Sequence, residues 1–131
     1  RGGAIRVAKG DTGLSPEKAV AAGRLGPLVI TEGIEDALTC AAAAPSNRVW
    51  AAGSLSLMHE LVKVAGWPGC ASGVVLVRDN DWDTPEAVRA FEACAEDWRR
   101  AAAQADRPLK VISAPPGKGK DLNDWLRGGM G

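Results

Sequence analysis

The feature that most constrains this chain is the recurrence of short apolar runs, each separated from the next by a segment of helical period. The runs are Leu28-Val29-Ile30-Thr31, Arg48 to Ala52, Val74-Val75-Leu76-Val77 and Leu109 to Ser113, with a shorter candidate at Ala4 to Ala8. Compact apolar runs suit strands buried on both faces of a sheet. The spacing predicts helices at Ile34 to Ala44, Leu55 to Ala65 and, longest, from Thr84-Pro85-Glu86 to about Ala105. In that last helix Ala87, Phe91, Cys94, Trp98, Ala101 and Ala105 recur at spacings of three and four, which makes one apolar face. Strand and helix alternating in units of ~30 residues argue for a mostly parallel sheet with helices on both faces.

Punctuation residues set the expected boundaries. Ser15-Pro16-Glu17 opens a first helix, with serine as N-cap and glutamate at the positive helix end. Gly23 to Pro27 breaks the chain, and Pro45-Ser46-Asn47 and Gly66 stop two later helices. Pro115 to Lys120 reads as a Gly/Lys loop, Asp121 to Arg127 as a short final helix, and Gly128 to Gly131 as a frayed tail.

Bulk properties narrow the class. With 131 residues the chain fits one domain, whose core should bury roughly two-thirds of the unfolded surface. Hydrophobic residues make up 46%, which fits a packed domain rather than a disordered one. The 16 basic residues equal the 16 acidic ones, so net charge gives little pull on a phosphate backbone. Cys40, Cys70 and Cys94 form no C-x-x-C pair, which argues against zinc fingers and a disulfide framework and favours a reducing, intracellular compartment. No apolar stretch is long enough to span a bilayer, and no signal-peptide pattern opens the chain. Arg1-Gly2-Gly3 is no natural start, so a fragment of a larger protein is expected.

Two of the apolar runs end in acids. Leu28–Thr31 delivers Glu32, and Val74–Arg78 delivers Asp79 and Asp81. In open α/β sheets, ligands bind beyond the carboxyl ends of strands. Residues i and i+2 of an extended chain point the same way. Carboxylates held close repel by ~1 kcal/mol even in water, and a hard cation removes that repulsion. Mg²⁺ takes oxygen ligands and keeps several waters, so two or three carboxylates suffice. Gly33 lets the backbone turn and leaves space beside Glu32. The plainer reading is that Asp79-Asn80-Asp81 forms a turn, Asp83 caps the next helix, and Glu32 is a first-turn acid. In the last third, Lys118 and Lys120 lie in a glycine loop before Asp121, and could hold a phosphate or merely precede a capped helix. The loop lacks the spacing of a Walker motif.

With these residues in view, the chain resembles the Toprim family, the catalytic fold shared by bacterial-type primases, topoisomerases, certain nucleases and recombination proteins. Leu28 to Asp36 stands where that family has a strand followed by Glu-Gly, and Val74 to Asp81 stands where it has a strand followed by Asp-x-Asp. The leading Gly2 to Val7, the Glu32-Gly33-Ile34-Glu35-Asp36-Ala37-Leu38 motif and the closing Lys120-Asp121-Leu122-Asn123-Asp124 resemble the primases and primase-helicases of phages, plasmids and mobile elements. The resemblance implies a Rossmann-like, three-layer α/β fold with a mostly parallel central sheet of about four strands. Residues 1–131 would form a single catalytic domain, with a leading strand and helix at 1–27 and the core at 28–127. Glu32 would serve as general acid/base or share in metal binding, and Asp79 and Asp81 would hold Mg²⁺ or Mn²⁺, two ions in all. Asp121 would be an outer acid, with Gly33, Lys118 and Lys120 near phosphates. The implied activity is primer synthesis by nucleotidyl transfer, on a DNA template with nucleoside triphosphates. The implied partners are other domains of a longer primase or a replicative helicase, at the nucleoid in a bacterial cytoplasm. Where some members carry a basic residue after the Asp-x-Asp pair, this chain has Trp82-Asp83.

Other residues read as structural. Trp50 and Trp98 are expected in the core, and Trp82 packs on its loop or stacks on a base. His59 is expected on a surface or in packing without a partner, Arg99-Arg100 on a solvated helix face, and the cysteines in inert apolar settings. Rival readings are a nuclease or topoisomerase-related domain, a non-catalytic binding module, and a receiver-like α/β domain. The chain has no tyrosine to act as a topoisomerase nucleophile. Lys110 stands at the start of its strand, where a receiver would need a lysine at a strand's end.

Overall fold

Local chemistry sets most element boundaries in the computed structural model, which describes residues 5–10, 13–43, 47–79 and 84–114. The elements run β1 (Ile5–Lys9), α1 (Pro16–Ala22), β2 (Gly26–Thr31), α2 (Ile34–Ala43), β3 (Arg48–Ala51), α3 (Leu55–Ala65), β4 (Ala71–Asp79), α4 (Pro85–Ala105) and β5 (Leu109–Ala114). Hydroxyl side chains cap three helices by accepting a backbone N–H of the first turn: Ser15 from Lys18, Ser54 from Leu57, and Thr84 from Ala87. The cap of α4 is therefore Thr84, which displaces the expected Asp83 from that role. Helix α1 ends at Gly23 in the left-handed conformation, where its N–H reaches the carbonyls of Ala19 and Val20.

The five strands form one sheet in the order β1-β3-β2-β4-β5. Strands β3, β2, β4 and β5 are mutually parallel, and β1 pairs with β3 antiparallel. The expectation of about four strands thus counts the parallel part, and β1 adds an antiparallel edge. A register shift between Arg6 and Ala8 kinks that edge strand. Strand β2 begins earlier than expected, because Pro27 sits beside a register irregularity at the strand's start, where its missing N–H costs no ladder bond.

Two apolar layers sandwich the sheet. Leu28, Ile30, Val74 and Leu76 face a core completed by Ala19 of α1, Met58, Leu61 and Val62 of α3, and Phe91, Cys94, Ala95 and Trp98 of α4. Val29, Val49, Ala51, Val75 and Val77 face Ala37 and Cys40 of α2 on the other side. Alternate residues of one strand thus enter opposite cores, which is why the central runs are apolar throughout. Trp98 is fully buried, donates its indole N–H to the Met58 carbonyl at 3.2 Å, and meets Trp67 edge-on at 6.3 Å between centroids. No helix is long and apolar enough, among the described residues, to cross a membrane.

Candidate metal centre

Strand order sets side by side the two strands that lead into acids. From β2 the chain passes through α2 to β3 on one side; from β4 it passes through α4 to β5 on the other. The helices α2 and α4 pack on opposite faces of the sheet. The carboxyl ends of β2 and β4 therefore flank the point where the winding reverses, the place where doubly wound sheets open a crevice for ligand. The register makes this specific. Thr31 pairs with Val77, so Glu32 leaves β2 level with Arg78 and one residue short of the level of Asp79. Neighbouring strands lie about 4.8 Å apart, so the two acids start from adjacent backbones.

The Glu32-Gly33 turn is held from three directions. The Glu32 carbonyl accepts from the Gly53 N–H at 2.7 Å, and the Thr31 carbonyl accepts from the Ala52 N–H at 2.8 Å. The Thr31 hydroxyl donates to the Gly33 carbonyl at 2.7 Å, and Ala37 N–H closes the first turn of α2 onto the same carbonyl. Thr31 is fully buried and Glu32 is only 9% exposed, so the carboxylate is presented by a rigid strand end rather than a loop. Glu32 lies toward the α4 face. Its charge reaches the Cys94 thiol, whose pKa is pushed up to about 12, mainly by burial and secondarily by Glu32 and Asp97.

Gly33 does not sit in the left-handed region, so its backbone tolerates other residues. A Cβ built there meets no described atom within 4 Å. The expected sharp turn is thus not what demands glycine. Among the described residues nothing crowds that position.

The remaining expected site residues divide as follows. Asp79 ends β4, with its backbone paired to Ala114 of β5. Asp81, Trp82, Asp83, Lys118, Lys120 and Asp121 lie outside the described residues. Among the described side chains no three potential ligands gather into a metal site. The acids at the two strand ends, Glu32 after β2 and Asp79 at the end of β4, offer carboxylate oxygen, which suits a hard cation such as Mg²⁺.

Two further residues were not foreseen. Arg78 lies level with Glu32, and its guanidinium stands 5.4 Å over the Phe91 ring of α4. A cation inside an otherwise apolar strand, just before an Asp-x-Asp pair, is the signal that marks it. His59 is not a lone histidine: its Nε2 lies 2.6 Å from Asp97 Oδ2, which ties α3 to α4. That hydrogen bond is the main cause that holds the Asp97 carboxyl below its ordinary range. Arg99 and Arg100 do lie on an exposed helix face, paired with Glu96 and Asp97. All three cysteines are buried and unbridged.

A family model described as "Toprim domain" matches residues 27–130. Comparison with curated proteins and with solved structures gives no match.

Proposed function

Because this chain belongs to the Toprim-domain family, we propose that it is the Mg²⁺-dependent nucleotidyl-transfer domain of a DNA primase, one catalytic unit within a longer protein. The family binds Mg²⁺ through acidic residues and occurs in primases, topoisomerases and nucleases that act on nucleic acids. The observation that carries the reading is the adjacency of β2 and β4, which sets the Glu32 and Asp79 strand exits side by side at the winding reversal. The primase subtype rests on the motifs at Glu32 to Leu38 and Lys120 to Asp124.

In this reading Asp79 and Asp81 hold Mg²⁺, with Asp121 as an outer acid and Glu32 as the general base, and two ions are expected. Mg²⁺ or Mn²⁺, when bound, supplies charge stabilisation at the attacking and leaving oxygens. The chemistry joins a primer 3′-oxygen to the α-phosphorus of a nucleoside triphosphate, breaks the bond to the β-phosphate oxygen, and releases pyrophosphate. Glu32 takes the proton of the attacking hydroxyl. Its rigid seat, bonded to Gly53 and braced by Thr31, keeps that carboxylate in position without reorganisation. Gly33 leaves room for the triphosphate, Lys118 and Lys120 neutralise phosphates, Trp82 offers a stacking surface, and Arg78 adds a cation at the level of Glu32. The template strand, the triphosphate, and a helicase or further primase domains are its partners, in a bacterial cytoplasm at the nucleoid.

The test is primer synthesis by the full-length protein. Asp79→Ala and Asp81→Ala should each abolish Mg²⁺-dependent synthesis while leaving the thermal melt unchanged. Glu32→Gln should keep metal binding and slow turnover. Unimpaired synthesis by either aspartate variant would defeat the reading, and metal-dependent nicking of DNA without synthesis would replace primase by nuclease.

A further inference from the structure

We propose that Gly53, in the turn from β3 into α3, is a positioning residue for Glu32, and that the backbone demands glycine there rather than at Gly33. The inference rests on the reading of Glu32 as the general base. It assigns a residue that belongs to neither acidic motif and lies 21 positions after Glu32 in the chain.

Each of three consecutive residues in this turn is committed to a bond. Ala52 N–H donates to the Thr31 carbonyl at 2.8 Å, which carries the parallel pairing of β2 and β3 one residue past the end of β3. Gly53 N–H donates to the Glu32 carbonyl at 2.7 Å. The Ser54 hydroxyl accepts from Leu57 N–H at 3.1 Å and caps α3. The carbonyls of Thr31 and Glu32 belong to the two peptide units that flank the Glu32 Cα. The donors of Ala52 and Gly53 therefore fix both peptide planes, and with them the direction in which the Glu32 side chain leaves the backbone.

Conformation makes glycine necessary at this position. Gly53 has a φ of 101°, in the region that side chains with a Cβ avoid. A Cβ built there also meets Leu57 Cδ1 at 3.2 Å. Leu57 is 47% exposed, so its methyl can swing aside, and the backbone strain is what remains. A residue with a Cβ relieves that strain by rotating about φ. The turn has no slack to absorb such a rotation, because Ala52 is bonded to Thr31 on one side and Ser54 caps α3 on the other. Either the Glu32 carbonyl loses its donor or α3 loses its cap.

The consequence falls on the chemical step. A general base works only within hydrogen-bond reach of the proton it takes. Once the peptide plane after Glu32 turns, the carboxyl group swings through a larger arc, since it stands farther out along the side chain. A misplacement of about 1 Å is enough to cost on the order of a hundredfold in rate. The metal and the triphosphate are assigned to other residues, so their binding does not depend on this bond.

The experiment compares two glycines of the full-length protein that bracket α3. Gly66, at the far end of that helix, has a φ of 72° and donates its N–H to the Val62 carbonyl, away from Glu32. Gly53→Ala and Gly66→Ala should both lower Tm, because both put a Cβ at positive φ. Only Gly53→Ala should lower kcat for primer synthesis, by between about ten- and a hundredfold, with KM for the nucleoside triphosphate unchanged. A merely structural glycine would not produce that split. A second arm needs no reaction: amide hydrogen exchange in EDTA. The amide at position 53 lies in an exposed turn, yet it should exchange slowly in the parent and in Gly66→Ala, and fast in Gly53→Ala. Full turnover by Gly53→Ala, an equal loss of turnover in both variants, or fast exchange at Gly53 in the parent overturns the proposal. A parent that makes no primer defeats the primase reading alone, and the exchange arm then decides whether Gly53 holds the Glu32 turn. The same arm, read in the parent, decides it if Gly53→Ala does not fold.

Discussion

Replacing Gly33 by alanine separates the two reasons a glycine can occupy the head of α2. If the backbone required it, alanine would cost stability; yet its φ lies outside the left-handed region and a Cβ meets no described atom within 4 Å. Alanine narrows the unfolded ensemble, which at a compatible position stabilises by about 0.4–1 kcal/mol. For a domain of this size that corresponds to a rise in Tm of roughly 1–6 °C. The added methyl would occupy the room proposed for the triphosphate, so the same variant should lose primer synthesis by tenfold or more, about 1.4 kcal/mol of transition-state binding. The assay pairs a thermal melt in EDTA with a Mg²⁺-dependent turnover measurement on the full-length protein. A fall in Tm equivalent to more than about 1 kcal/mol would refute the backbone argument. Full activity would refute the ligand argument and leave Gly33 a spectator.

Four more outcomes are expected. Trp98→Ala should cost about 3–5 kcal/mol in urea unfolding, because it empties a fully buried indole site and strands the Met58 carbonyl; a loss under 1 kcal/mol would mean the α3–α4 layer packs otherwise. The buried thiols should resist a disulfide reagent until the chain unfolds, and rapid native labelling would contradict that burial. Burial raises Cys94 from its ordinary 9.0 to about 12 and raises Cys70 too, so the neutral thiols contribute stability fully below pH 9; the contribution is lost as pH climbs from 9 toward 12, visible as a falling Tm. Asp97 moves the other way: its pKa lies below the ordinary 3.8, so its contribution is present above that pH and is lost on acidification through the lowered value. Asp97→Asn should therefore lower Tm near neutrality and converge with the parent as pH falls below 3.8; a constant offset across that range would show that the charge plays no part.

Much of the architecture is legible along the chain because its signals are local. A hydroxyl before Pro16, before Leu55 and before Pro85 marks three helix starts, since each needs only its own first-turn N–H groups. The apolar runs at β2 and β4 mark buried strands, since residues entering both cores must all be apolar. Glu32 and the Asp79-Asn80-Asp81 segment stand out because polar groups directly after such runs need a reason to be there. Signals that need a second, distant residue stay hidden. His59 looks solitary until Asp97, 38 positions away, comes to 2.6 Å. Arg6, Lys9 and Arg48 are unremarkable singly and line one cavity only when β1 pairs with β3.

What the sequence determined by itself is the inventory: which segments are strands, which are helices, where the capped helices begin, and that acids follow two of the strands. Periodicity and capping are properties of neighbouring residues, and they act in any tertiary setting. Only the tertiary structure decided that β2 and β4 are neighbours, that β1 turns antiparallel, and that the winding reverses between the two acidic strands. An apolar strand buried on both faces bonds through its backbone, which is alike in every strand, so its own residues do not name its partner. The choice falls to the helices, whose packing on opposite faces sends β2 one way and β4 the other, and so leaves the carboxyl ends of those two strands side by side.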